Sequence, residues 1–179
     1  MIREFQGEYR WLSNFWPCRI VSKTGLVFPS VEHAYQACKC KDPEQMKRFM
    51  VGTAADAKRL GRQFKARYWG MVEGKEQLIV PEFEIRPDWL SVRVEVMRRL
   101  LEQKFAPGTE LAAKLKATGE EELIEGNRWH DNYWGCCLCG RHDQFRGWTC
   151  VYSMNNRNAT TNQLGRLLMI RRACLKGGD

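Results

Sequence analysis

The chain of 179 residues predicts an α+β fold, mainly helical with a small sheet, as a single domain over residues 1–179. Three observations predict it. A wide apolar stripe with helical period runs from about 88 to 105. Helix-capping residues recur ahead of it. Short β-favouring runs lie near both ends of the chain.

Taken in order, Arg19-Ile20-Val21 and Leu26-Val27-Phe28 read as short strands around a turn at Gly25. Ser30 predicts the N-cap of a helix over 30–41. Asp42-Pro43 opens the next helix, with Asp42 as cap, Pro43 at the first position and Gln45 completing a box-like start. Thr53 caps a third helix through Leu60, ended by Gly61. Residues 63–87 are less regular, broken by Pro81 and Pro87. They extend the second and third helices or form a surface excursion. Asp88 or a neighbour starts the long helix, whose Trp89, Val92, Val96, Met97, Leu100 and Leu101 form one apolar face before Pro107-Gly108 stops it. Thr109 and Glu110 begin a short helix that ends at Gly119. Glu122 to Glu125 reads as a strand. Asn162 or Thr161 caps a last helix that turns Leu164, Leu167, Leu168 and Leu175 inward. There is no internal repeat, low-complexity tract or linker.

Hydrophobic residues make up 44% and charged residues 28%, ordinary for a globular chain able to bury a core. The formal net charge of +8 favours phosphate-bearing partners without specifying a sequence reader. No apolar run reaches the length of a membrane span, and the N-terminal MIREFQGEYR has no signal-like core, so a cytoplasmic protein with no membrane partner is expected. Eight cysteines in that setting stay reduced, some as small buried hydrophobes.

Four polar clusters carry the chemistry: LSNF at 12–15, EHAYQACK at 32–39, LIEGNRWHDNYWG at 123–135 and NQLGR at 162–166. In the second, Glu32, Gln36 and Lys39 recur at i, i+4 and i+7, one stripe of a helix. An acid, an amide and an amine face a core poorly, but suit a polar ligand lying along the helix. Glu32 and Lys39 stand roughly 10 Å apart along the axis, able to hold opposite parts of a nucleoside-sized molecule. A solvated Glu-to-Lys face is the competing reading. In the third cluster Glu125 ends a strand, and Asp131 and Trp134 sit in a glycine-containing loop that offers a carboxylate and an indole face. A capped turn with a packed tryptophan is the alternative there. Arg62, in the GRQ turn, could act as a cation near Lys39 or clasp a phosphate. Cys136, Cys139, His142 and Cys150 form a candidate zinc set, structural if occupied, although the spacing matches no common module.

Together these motifs resemble the NADAR, or YbiA-like, family. The matching residues are Ser13-Asn14-Phe15, Glu32-His33, Gln36-Ala37, Lys39, Asp88-Trp89, Glu125, Asp131, Trp134-Gly135 and Asn162 with Leu164-Gly165. The likeness spans nearly the whole chain. It departs in the stretch 136–161, an enlarged loop carrying Arg141, Arg146 and Arg157, suited to a polynucleotide backbone.

The resemblance implies an N-glycosidase of ribosylated nitrogen compounds, needing no cofactor. Family activities include removing ADP-ribose from guanine and hydrolysing early riboflavin-pathway intermediates. Some members are antidotes to DNA-modifying ADP-ribosyltransferase toxins, so an ADP-ribose-bearing nucleotide or nucleic acid, DNA foremost, is the expected partner. Lys39 is the implied nucleophile, Asp131 the proton shuttle, and Glu32 the ligand of ribose hydroxyls or base. Glu125 is a further candidate catalytic acid. Trp89 and Trp134 would stack, Asn14 and Phe15 would line the opposite wall, and Ser13, Gln36, Gly135 and Asn162 complete the binding set. A nucleotide-binding module without turnover is the alternative from another class. The amine and the aspartate are expected to meet in one hollow.

Overall fold

The computed structural model describes residues 1–65, 68–79, 81–138, 142–143, 148–149 and 161–178, in an α+β arrangement of helices and two-stranded sheets. The chain divides into two compact units. One is Asn14–Lys104; the other joins Met1–Ser13 to Phe105–Asp179.

In the first unit, β1 (Pro17–Val21) and β2 (Val27–Ser30) form an antiparallel hairpin that pairs Ile20 with Phe28. Gly25 turns it at φ +82°, a conformation that favours glycine. Ile20 and Phe28 point into the core. The Gln103 amide pairs with both backbone groups of Val21, closing that end of the strand.

Helix α1 spans Val31–Ala37 and starts as expected: the Ser30 hydroxyl accepts from the His33 N–H and also meets His33 Nδ1 at 2.7 Å. It stops short of the predicted residue 41. Cys40 forms an antiparallel bridge with Ile85, the Arg86 N–H donates to the Lys39 carbonyl, and the Lys41 N–H donates to Glu84. That pairing draws 39–41 out of helical conformation.

Helix α2 covers Pro43–Met46 with Asp42 as cap. Gln45 closes no box; its amide donates to the Glu82 carbonyl. Helix α3, Ala54–Leu60, opens on a complete capping box between Thr53 and Asp56. Residues 63–87 extend no helix. They contain the antiparallel pair β3 (Tyr68–Val72) and β4 (Lys75–Ile79), joined by Glu73 and Gly74, both at positive φ as a two-residue hairpin turn requires.

Helix α4 runs Trp89–Lys104, with Trp89, Met97, Leu100 and Leu101 buried and Val92 and Val96 half-buried. The Asp88 carboxylate grips Arg86 instead of capping, at 2.6 and 2.7 Å. Phe49, Phe64 and Phe83 fill the core with ring centroids 5.4–6.0 Å apart.

In the second unit a 3₁₀ segment, Gly7–Leu12, sets Trp11 edge-on to Phe105. Thr109 caps α5 (Glu110–Ala117) as expected. The expected strand at 122–125 is one parallel bridge, Leu123 to Ile2; ladder pairing begins a residue past Glu125. There β5 (Gly126–Asn127) and β6 (Cys136–Cys137) pair in parallel. A short antiparallel pair, β7 (His142–Asp143) and β8 (Trp148–Thr149), follows. Helix α6, Gln163–Lys176, buries the four predicted leucines. Arg172 is also buried, and donates to the Thr118 hydroxyl and the Glu121 carbonyl.

Arg141, Arg146 and Arg157 of the enlarged loop, and Cys139 and Cys150 of the candidate zinc set, lie outside the described residues. Cys136 is buried in β6. Among the described residues no three metal-binding side chains cluster, and no helix is long and apolar enough to cross a membrane.

Candidate active site

The stripe on α1 is not a solvated face. Glu32 is 7% and Gln36 6% exposed, and the Gln36 amide donates to a Glu32 oxygen at 2.7 Å. That bond fixes which way the amide points. Its other end, Oε1, is buried and has no hydrogen-bond partner among the described residues. Gly61 explains how the side chain fits. It ends α3 at an ordinary φ of −64°, but a Cβ there would lie 1.9 Å from Gln36 Oε1. Asn14 is similarly enclosed: its carbonyl accepts from the Glu32 N–H, its amide donates to Met97 sulfur, and its Oδ1 is buried without a partner among the described residues.

Lys39 lies two residues beyond α1, in the turn, with its Nζ donating to the Gly61 carbonyl at 3.3 Å and 5.8 Å from the Tyr35 ring centre. Burial pushes its pKa below the ordinary lysine value. The Glu32 charge opposes the shift and the Lys58 charge assists it. The assisting cation is therefore Lys58, on α3, and not Arg62, which is exposed. Lys58 holds its ammonium 5.6 Å from the Phe15 ring centre. Trp89 is 5% exposed and tilts against Tyr35 at 5.0 Å, so it locks α1 to α4 from within the core instead of offering an open stacking face. His33, bonded to Ser30 and to the Gly52 carbonyl, belongs to the helix cap.

The other motif residues lie in the second unit. Ser13 is half-buried at the end of the 3₁₀ segment, its N–H bonded to Arg10. Asp131 Oδ1 accepts from the backbone N–H groups of Tyr133 and Trp134 at 3.0 and 2.9 Å, leaving Oδ2 uncommitted among the described residues. The loop is held from behind by Asn127, 3% exposed: its amide donates to the Asp131 carbonyl, and its oxygen accepts from the Trp129 and Asp131 N–H groups. Trp134 is half-buried with its ring edge-on to Tyr133. Gly135 sits against the Glu125 backbone, where a Cβ would be 2.1 Å from the carbonyl oxygen.

Asn162 does not cap α6 through its side chain; both ends of its amide engage the chain at 123–125. At φ +41° it donates to the Leu123 carbonyl and accepts from the Glu125 N–H, at 2.9 and 3.1 Å. Its role is to fix the chain on which Glu125 sits. Asn162→Leu is expected to cost about 2–3 kcal/mol by orphaning both backbone groups, read as a lower urea midpoint; an unchanged midpoint would show the clamp to be idle.

Sequence reasoning missed Lys58, Gly61 and Asn127. Lys58 and Gly61 stand at i and i+3 on one helix face, and Asn127 is spaced to close a turn on Asp131. Both signals are local and were available.

The NADAR domain model matches residues 2–176. A riboflavin biosynthesis protein of Vibrio vulnificus is 39% identical over 129 residues, which is 72% of this chain and only 30% of that protein. The N-glycosidase YbiA of Escherichia coli is 33% identical over 133 residues, 72% of this chain and 69% of YbiA. The solution NMR structure of E. coli YbiA superposes with a TM-score of 0.68 at 28% identity, covering 99% of this chain and 84% of that one. With a model match over nearly its full length, the chain belongs to the NADAR domain family.

Proposed function

We propose that the protein is an N-glycosidase that cleaves the bond between ribose and the nitrogen of a base, with ADP-ribose on guanine in DNA as its substrate. Lys39 carries the reading: an amine withdrawn from water, with a depressed pKa, beside a buried carboxylate and amide. A neutral amine can attack the anomeric carbon as the carbon–nitrogen bond breaks and the base nitrogen takes a proton. The sugar ring opens to a Schiff base, which water hydrolyses to free ADP-ribose and amine. In this scheme Asp131 moves the protons, through the oxygen that its turn leaves uncommitted, and Glu32 binds ribose hydroxyls or the base. The net charge of +8 supports a nucleic-acid substrate.

Incubating the protein with an oligonucleotide ADP-ribosylated on guanine tests this: free ADP-ribose should accumulate, at a rate that falls steeply with salt. A second reading, hydrolysis of ribosylaminopyrimidine phosphates of riboflavin synthesis, is favoured by the name of the Vibrio relative. Turnover of such a phosphate at a rate indifferent to DNA and salt would select it. Tight binding of ADP-ribose with neither product would mean a binding module.

A further inference from the structure

Glu32, Gln36, Lys39 and Gly61 all belong to the Asn14–Lys104 unit, and Gly61 stands where the others meet. Its carbonyl takes the Lys39 amine at 3.3 Å. The Gln36 carboxamide fills the place of the side chain it lacks: a Cβ there would lie 1.9 Å from Oε1 and 2.6 Å from Cδ. The backbone does not ask for glycine, since φ is −64° and ψ −10°, open to any residue. The amide of Gln36 asks for it.

That amide is not free to step aside. Its N–H₂ grips the buried Glu32 at 2.7 Å, and a flip would set its oxygen against a carboxylate oxygen. Held this way round, Gln36 leaves Oε1 buried and without a partner among the described residues. A bare buried acceptor is destabilising, and it is an opening for a donor that arrives with a ligand. Because the Lys39 amine is anchored on the same glycine, that donor lies close to the carbon the amine attacks.

We propose that Gly61 is a positioning residue that acts through Gln36: the space left by its missing side chain seats the carboxamide on Glu32 and presents Oε1 as the acceptor for a hydroxyl of the substrate ribose. The inference rests on this face being the active site and adds what fixes its amide. Alanine at 61 keeps the carbonyl that anchors Lys39, so its effect runs through the amide alone.

The test reads the Gln36 carboxamide by NMR of the full chain, its resonances identified by their loss in Gln36→Ala. In Gly61→Ala the side-chain N–H₂ pair should move toward free-glutamine values as the bond to Glu32 opens. There kcat/KM on the oligonucleotide ADP-ribosylated on guanine should fall roughly 10–100-fold. In a Gln36→Ala background the space is empty, so adding Gly61→Ala should lower kcat/KM by less than about 2-fold more. Titrating the wild type with ADP-ribose should move the Gln36 side-chain carbonyl ¹³C resonance. An unmoved N–H₂ pair in Gly61→Ala, or an equal loss in the Gln36→Ala background, overturns the positioning role. ADP-ribose that shifts other α1 resonances but leaves the Gln36 carbonyl still overturns the acceptor role. Should ADP-ribose shift nothing and the oligonucleotide stay uncleaved, the substrate reading falls, while the N–H₂ pair still decides whether Gly61 seats Gln36.

Discussion

Replacing Lys39 by methionine is expected to lower turnover of a ribosylated base at least about 1,000-fold, while leaving the protein no less stable at neutral pH. Methionine has nearly the length of the lysine stem, so it fills the space against Tyr35 without the ammonium. Lys39 is depressed in the folded chain, chiefly by burial. The unfolded chain therefore holds its proton to higher pH, and the lysine destabilises the fold whenever it is charged in both states. The advantage of the methionine variant is full below the folded-state pKa of Lys39. It fades as pH rises from there to the ordinary lysine value. Urea midpoints at several pH values measure it. In the wild type, kcat/KM should rise with pH along a limb lying below the ordinary lysine pKa, as neutral amine accumulates. Borohydride added during turnover should fix a sugar adduct on the wild type and none on the variant. A Lys39→Met protein that turns over normally would remove the covalent route and leave direct attack by water.

What the sequence disclosed was mostly local. Ser30, Asp42, Thr53 and Thr109 cap helices because a hydroxyl or carboxylate reaches a backbone N–H two or three residues away, a geometry contained in a short string. The end of α1 was not legible, since residues 84–86 pull 39–41 into extended pairing from far along the chain. Of the two readings of residues 63–87, the surface excursion fits: 68–79 form a hairpin turned at Glu73-Gly74 and exposed over 71–78, and the flanking strands carry no apolar alternation that would mark them.

The site divides the same way. The polar stripe was visible, and its burial answers which of two readings holds. Lys39 leaves the helix and its amine donates to the Gly61 carbonyl at the C-terminal end of α3, a position that favours the charged form, so the lowering of its pKa comes chiefly from burial. Asn162 was read as a cap from its position before a helix. Its two bonds to residues 123 and 125 are contacts that no neighbouring residue announces. Trp89 looked like a stacking platform until Tyr35 occupied it.

Gly135→Ala is expected to be strongly damaging to the second unit. The glycine passes so close to the preceding strand that a Cβ would lie 2.1 Å from the Glu125 carbonyl oxygen and 3.0 Å from both Glu125 Cγ and Asn127 Nδ2. The carbonyl oxygen and the Asn127 amide are both held by hydrogen bonds. The Glu125 carbonyl accepts the Cys136 N–H at 2.9 Å, one bond of the β5–β6 pairing. Asn127 Nδ2 donates to the Asp131 carbonyl at 2.7 Å, and the Glu125 N–H is held by Asn162. The methyl group can be admitted only by separating the strands or releasing the Asn127 clamp. Overpacking plus the loss of a buried hydrogen bond amounts to about 3–5 kcal/mol. For a chain of this size that lowers the melting temperature by on the order of 10 °C. Gly25→Ala is the control: at φ +82° with nothing within 4 Å of the new carbon, it meets backbone strain alone and should cost about 1 kcal/mol. The comparison also tests what Gly135 is for. If its importance lay in admitting substrate, alanine would raise KM and spare the melting temperature. If the close backbone approach is the reason, the melting temperature falls first, and a Gly135→Ala protein that melts with the wild type would contradict the approach itself.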